Sequence, residues 1–417
     1  MSNRRPARVE SAFLQRKRTL KPAVSARSIV ITAPEERQAV ARSTTGPTRV
    51  LHLVSSGGLY GAEQVILNLA RSESALSYVG ALYNAHSPHL EVIDEAKTMG
   101  VRTVVFSSKG RIDLGTIFQI SRFLRKNAID ILHTHGYKSD IVGCFAAFLG
   151  RTKWVATNHV WHPMSGKLRL YESLDAFLLR FAKRIVAVSA EIREDLISTR
   201  VSPAKIRVID NGIDIDRFKE SRSTEILRAA LGIRDHDVVV TMVGRLSPEK
   251  GHKVFLEAAK TVSSSREHVR FLVVGDGPLA EELRADVTRL DLGDRVIFAG
   301  FRKEMPEIYA LSDVMVNASS IEGLPMTILE AMASHVPVVA ARTGGIPGVI
   351  RDNETGLLVD AQDVDALAIQ IGSLVDDQGK RRRLATAAFE FVTMNHSFER
   401  MCAAYRQVYR EVLDATG

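Results

Sequence analysis

Four charged side chains between positions 245 and 330 have the types and spacing to act together. Arg245 and Lys250 lie in VGRLSPEKGHKVFLEAA, and Glu322 and Glu330 lie in SSIEGLPMTILEAMASHVPVVAARTGGIPGVI (319–350). Carboxylates accept hydrogen bonds from vicinal hydroxyls, as sugars and riboses offer. Paired cations stabilise charge developing on an anionic leaving group. A helix from Pro325 to about Ser334 is expected, because the missing proline N–H costs nothing in a first turn. The N–H groups of Met326 and Thr327 would then point outward from a positive helix end, a setting suited to a diphosphate. Glu322 falls just before that helix and Glu330 about a turn and a half inside it. Their separation matches the length of a nucleotide diphosphate. Any one of the four charges alone reads as a surface residue; two cations and two carboxylates at the strand ends of one sheet are harder to dismiss.

Such a group needs strand ends to hold it. From Arg49 onward, short apolar runs such as RVLHLVSSGG, VGALYN, VRTVVF, DILHTH, KWVATN, RIVAVS and KIRVIDNG alternate with helical periodicity. This is the pattern of βαβ units on a parallel sheet. A polar break at KESRSTE (219–225) separates a second round, with strands at DVVVTMVG, VRFLVVGDG, RVIFAG, DVMVNA, PVVAA and near GLLV. Two doubly wound α/β domains are expected, at 49–220 and 221–395. A last helix over 396–417 could belong to either, including by packing back on the first. Ligands in such sheets bind beyond the carboxyl ends of the strands.

The glycine-rich turns exclude some alternatives. Gly275 and Gly277 follow a strand and precede a helix, but the third fingerprint position holds Ala280 and Pro278 intervenes. A dehydrogenase is therefore disfavoured, and no Walker A sequence occurs. In SSGGLYGAE, Gly57, Gly58 and Gly61 could let backbone N–H groups approach a bound group beside a helix N-terminus. By itself that turn reads more readily as an ordinary strand-to-helix connection. The string Asp-x-Asp occurs at 214–216, 235–237 and 363–365, in a hinge, before a strand and at a helix start. None is in a loop suited to carry a metal on a diphosphate, so no metal site is expected.

On these residues the chain resembles the family 4 retaining glycosyltransferases of GT-B architecture, from about Arg49 to the C-terminus. The resemblance rests on the E-x7-E motif at Glu322 and Glu330, the Arg245–Lys250 segment, SDVMVNAS, GDGP, GGIP, and the hinge VIDNGIDIDRF. It implies two Rossmann-like domains facing each other across a donor-binding cleft. It also implies that Glu322 contacts donor sugar hydroxyls, Glu330 holds the ribose, and Arg245 and Lys250 grip the diphosphate. DILHTHG resembles the family's D-x-x-H-x-H strand end, with His135 emerging at the crevice and His133 packed. VATNHVWH resembles the segment whose histidine approaches the donor sugar, which selects His159. The hinge residues Asn211, Gly212, Asp214 and Phe218 are expected to be structural, and the base is expected near Phe301 and Arg302. The implied activity moves a sugar from a nucleotide donor, UDP-linked on base rates, to a glycan or lipid-linked acceptor with no separate cofactor. A sugar-nucleotide epimerase and a non-catalytic sugar-nucleotide-binding regulator remain open as alternatives.

The net charge of +8 does not describe the body of the molecule. Residues 1–49 hold eleven basic against three acidic side chains, leaving 45 of each sign in the rest. A basic, mostly disordered tail over 1–48 is expected, and nucleic acid is an unlikely partner for the folded part. SGKLRLYESLDAFLLRFAKR (165–184) is an amphipathic helix that could cover its own sheet or lie on an anionic membrane. Two cysteines form no disulfide framework, and no run is long enough to span a bilayer. The expected setting is cytoplasmic, peripheral at the inner face of the membrane.

Overall fold

The computed structural model describes residues 48–415 except 56–60, 73–75, 84–89, 109, 111–112, 160–166 and 220–221, together with the strand Val30–Thr32. The first sheet contains β1 (Val30–Thr32), β2 (Val50–Val54), β3 (Ser77–Tyr83), β4 (Arg102–Ser107), β5 (Ile131–His135), β6 (Lys153–Asn158), β7 (Arg184–Ala187) and β8 (Ile206–Val208). Their order is β1-β4-β3-β2-β5-β6-β7-β8. The second contains β9 (Val238–Val243), β10 (Val269–Val274), β11 (Val296–Gly300), β12 (Val314–Asn317), β13 (Val338–Ala341) and β14 (Leu357–Val359), in the order β11-β10-β9-β12-β13-β14. All described pairings are parallel except β1 with β4.

The apolar runs become central strands because helices cover both faces of each sheet. β2 is buried along its whole length, and fully burying a Leu such as Leu51 or Leu53 contributes about 1.5–3 kcal/mol. In each sheet the strand order reverses at one place, between β2 and β5 and between β9 and β12. Such a switch point leaves a crevice beyond the strand ends. These two crevices fix where the chemistry can sit.

The chain passes from the first domain to the second after β8 and returns near residue 396. Ile213 bridges Ser397 in parallel, with Ile213 N donating to His396 O at 2.8 Å and Phe398 N to Ile213 O at 2.9 Å. The final helix, Phe398–Asp414, then packs on the first domain. The Lys153 ammonium donates to the carbonyls of Val412 and Leu413, both at 2.7 Å. Glu411 pairs with Arg184 and Arg207 at 3.2 Å each.

Two expectations change. Val30–Thr32 lies within the segment expected to be unstructured, yet it adds an antiparallel edge to β4, a register open to a short β-rich segment beside an uncovered strand. Pro325 is the N-cap of the helix Met326–Ala333, not its first helical residue, because its ψ of 125° is extended. Met326 and Thr327 are therefore the first two helical positions.

Candidate active site

The second-domain crevice is built by loops that follow β9, β12 and β13. Arg245 leaves the end of β9 on an exposed turn. Lys250 ends the 3₁₀ turn Pro248–Lys250, just before the helix His252–Ser263. The Ser320 N–H donates to Glu249 O at 2.9 Å, locking this turn to the loop after β12. The lock brings Lys250 Nζ to 2.6 Å from Glu322 Oε1. Ser319 Oγ donates to the same oxygen at 2.8 Å, and Asn317 Nδ2 approaches it at 3.5 Å. The Glu322 side chain is only 7 % exposed against 27 % for Lys250, so the carboxylate is the more desolvated partner.

Close-packed glycine backbone holds the carboxylate loop in place. Gly344, at φ +53°, lies so near that a Cβ there would stand 1.8 Å from the Glu322 carbonyl oxygen. The next residue donates from Gly345 N to Gly323 O at 2.6 Å. In the same way, a Cβ at Gly275 would stand 1.9 Å from Gly244 O. The GDGP turn thus serves to seat the Arg245 loop.

Glu330 lies on the helix Met326–Ala333 and accepts from the Tyr309 hydroxyl at 2.8 Å. Burial pushes its carboxyl above the usual range, against the Tyr309 hydrogen bond and the nearby Arg217 charge. Phe301 is 53 % exposed just beyond β11. Arg302 beside it donates to Ala299 O and pairs with Glu304.

The first domain meets this site directly. A Cβ at Gly323 would stand 1.9 Å from His159 O, placing the His159 loop against the residue next to Glu322. Asn211 Nδ2 donates to Leu324 O at 2.8 Å, which gives the expected hinge residue its structural role. At Gly61, the first residue of the helix Gly61–Ser72, a Cβ would meet Met326 Cγ at 3.3 Å. Two helix N-termini therefore converge on the cleft. Gly57 and Gly58 lie outside the described residues.

His135 does not emerge at the crevice as expected. It is buried behind His159, because residues two apart on β5 share a face and that face is covered. Its Nδ1 lies 3.2 Å from His159 Nε2 and its Nε2 lies 3.3 Å from His52 Nδ1. His133, as expected, is packed, between Tyr409 OH at 2.6 Å and Thr157 Oγ1 at 2.7 Å. Burial pushes all four imidazoles down, His52 to about 3 and His159 to about 4. Ligand atoms of His52, His133 and His135 all lie within 4.8 Å of one another, a separation a metal could bridge. Both nitrogens of His133 and of His135 already have hydrogen-bond partners, so the group reads as a neutral network.

The sequence reading passed over Asn317, Ser319, Tyr309 and His52. The first two stand in the quoted DVMVNASS segment, where a polar end to an apolar strand is a usable signal. Tyr309 and His52 carry no such signal: one acts from another helix and the other sits in an apolar strand.

Residues 60–217 match the model described as Glycosyltransferase Family 4, and residues 223–391 match that of Glycosyl transferases group 1. The chain is 31 % identical over 276 residues to the UDP-Gal:alpha-D-GlcNAc-diphosphoundecaprenol alpha-1,3-galactosyltransferase of Escherichia coli, covering 64 % of this chain and 71 % of that protein. The chain belongs to the family 4 glycosyltransferases. It is also 30 % identical over 318 residues to the D-inositol 3-phosphate glycosyltransferase of Corynebacterium efficiens, covering 71 % and 75 %. Among solved structures, Anabaena HepE in complex with UDP and glucose superposes with a TM-score of 0.79 at 25 % identity, over 87 % of this chain and 99 % of that one. This glycosyltransferase thus has the GT-B architecture, and among the described residues no helix is long and apolar enough to cross a membrane.

Proposed function

We propose that this glycosyltransferase moves a sugar, with retention and without a metal, from a UDP-linked donor to a glycan or lipid-linked acceptor. The observation that carries the reading is the Lys250–Glu322 pair, formed between the loop that holds Arg245 and the loop that leads into the Met326 helix, with the His159 carbonyl packed on Gly323 from the opposite domain. Arg245, Lys250 and the helix N–H groups stabilise the departing diphosphate. Glu322 orients donor sugar hydroxyls, and Glu330 receives the ribose. The Lys250 ammonium and Ser319 hydroxyl on Glu322 Oε1 blunt its nucleophilicity, which supports a front-face displacement over a covalent glycosyl-enzyme. In that displacement a donor phosphate oxygen takes the acceptor's proton as the glycosidic bond to the diphosphate breaks. Phe301 and Arg302 border the base.

The acceptor side favours a lipid carrier at an anionic surface. The neighbouring helices Leu114–Lys126, Tyr137–Gly150 and Lys167–Leu179 leave Leu114, Phe118, Phe148 and Phe177 exposed. Arg122 and Arg125 are exposed on the first of these helices, and Arg180 lies over the Phe177 ring. Leu178 and Leu179 pack inward on their own sheet, so this helix serves both purposes. The side chains of residues 167–170 lie outside the described residues.

A thermal-shift screen against UDP-, GDP- and ADP-sugars tests the donor, since a ligand that binds the native state raises its stability. Glu322→Gln and Lys250→Ala should each abolish transfer while the protein stays folded at 25 °C. Near-normal turnover by either overturns the site. Loss of transfer on treatment with EDTA overturns metal independence. Free product released without an acceptor would favour epimerisation.

A further inference from the structure

Three imidazoles run in single file from the core of the first domain to the cleft. His52 Nδ1 lies 3.3 Å from His135 Nε2, and His135 Nδ1 lies 3.2 Å from His159 Nε2. The outer rings each stack on His135 at centroid distances of 5.5 Å and interplanar angles of 26°. His52 is fully buried, and its Nε2 has no hydrogen-bond partner among the described residues.

A neutral imidazole carries one N–H, so the protons in this file can be arranged in only two consistent ways. In one, each ring donates outward: His52 Nδ1–H to His135, and His135 Nδ1–H to His159 Nε2. The end left over in the core is then a bare lone pair on His52 Nε2. In the other, each ring donates inward, and a buried N–H on His52 Nε2 is left with nothing to receive it. Buried donors without acceptors are the rarer defect, since an unmade donor bond in a dry interior forfeits its full solvation. Desolvation, which holds all three rings neutral, removes the cationic alternatives.

We infer that His52 and His135 are positioning residues that fix His159 as the Nδ1–H tautomer, so that this ring offers the cleft a hydrogen-bond donor and never an acceptor at that nitrogen. A donor there suits a sugar hydroxyl oxygen or the oxygen of the breaking bond, both of which have lone pairs to give. The His159 carbonyl is seated against Gly323, the neighbour of Glu322, so the residue that carries the fixed ring borders that constellation. The inference rests on the proposed place of His159 beside the donor sugar, and its test separates the two.

The full chain labelled with ¹⁵N-histidine, at pH 7.5 and without donor, reads the tautomer directly. The His159 signals are assigned by their loss in His159→Gln. Protonated Nδ1 with unprotonated Nε2 is expected; the reverse tautomer, or a resonance displaced by a bound metal, overturns the relay without any substitution that could perturb folding. His52→Leu should abolish the preference and lower kcat by about 10-fold or more, as loss of an outer-shell orienting partner does. His52→Asn keeps a donor near the Nδ1 position and should restore both. An unchanged tautomer in His52→Leu overturns the relay. A changed tautomer with unchanged kcat and KM leaves the relay standing and removes His159 from the sugar.

Discussion

The Lys250–Glu322 pair predicts an asymmetry between its two partners that can be worked out from exposure. In Lys250→Met, Glu322 loses its 2.6 Å partner and keeps Ser319 at 2.8 Å, with Asn317 at a marginal 3.5 Å. At 7 % exposure the carboxylate cannot recover its hydration. Breaking a fully buried pair from one side costs about 3–5 kcal/mol; because the lysine is partly exposed, a smaller cost of about 2–3 kcal/mol is expected here. In Glu322→Gln the ammonium, 27 % exposed, is reached by water, and the amide oxygen still accepts from Ser319. That change should cost only about 1 kcal/mol. For a domain of this size the difference corresponds to several degrees, about 2–4 °C per kcal/mol. Melting curves of the ligand-free protein give the order: Lys250→Met well below Glu322→Gln, which lies just below wild type. The double variant, which no longer buries a charge, should melt above Lys250→Met. Equal melting of the two single variants, or the reverse order, would refute the claim that Lys250 compensates a desolvated carboxylate.

Other expectations follow from single contacts. Gly344→Ala places a methyl 1.8 Å from Glu322 O at φ +53°, so transfer should be lost with a destabilisation of about 2 kcal/mol or more, read by melting and donor titration. Tyr309→Phe removes the 2.8 Å bond to Glu330 and should weaken donor binding about 5–10-fold by calorimetry, with a smaller change in kcat. Burial pushes Asp140 up to about 8 from an ordinary 3.8, so its ionisation opposes folding and stability is lost as pH rises from about 4 to 8. Asp140→Asn should therefore melt above wild type at pH 8 and converge with it near pH 4; identical pH dependence refutes the shift. Deleting residues 1–47 removes both the basic excess and β1; liposome co-sedimentation should fall while turnover of a soluble acceptor is retained.

Most of the architecture was legible because it is written in local periodicity. The apolar runs named from the sequence became β2–β14, with Arg245, Lys250 and Glu322 in the loops after β9 and β12 and Glu330 inside the helix that follows. The β1 strand was not legible: VIT sits in a polar, basic segment, and only pairing with the edge of β4 makes it a strand. His135 was misplaced for a related reason. Its spacing from His133 correctly put both on one face of β5, but whether that face is open depends on β2 and on the final helix, both distant in sequence. The sequence grouped Lys250 and Glu322 around one ligand without putting them in contact; that one holds the other depends on the Ser320–Glu249 lock. Tyr309 could not be found at all, since nothing near Glu330 in sequence shows which hydroxyl will approach it.

The return of the chain at Ile213 and Ser397 has a consequence for divisibility. The final helix buries Tyr405, Tyr409 and Val412 against a domain that the chain left some 180 residues earlier, so the first domain's own sequence stops short of completing its core. Expressed to residue 220, that half would lack a wall; the remainder would carry the missing wall as an apolar arm. A cut between the domains would yield two fragments held by each other, not two independent modules. The molecule is one piece in topology even where it is two in sheet count.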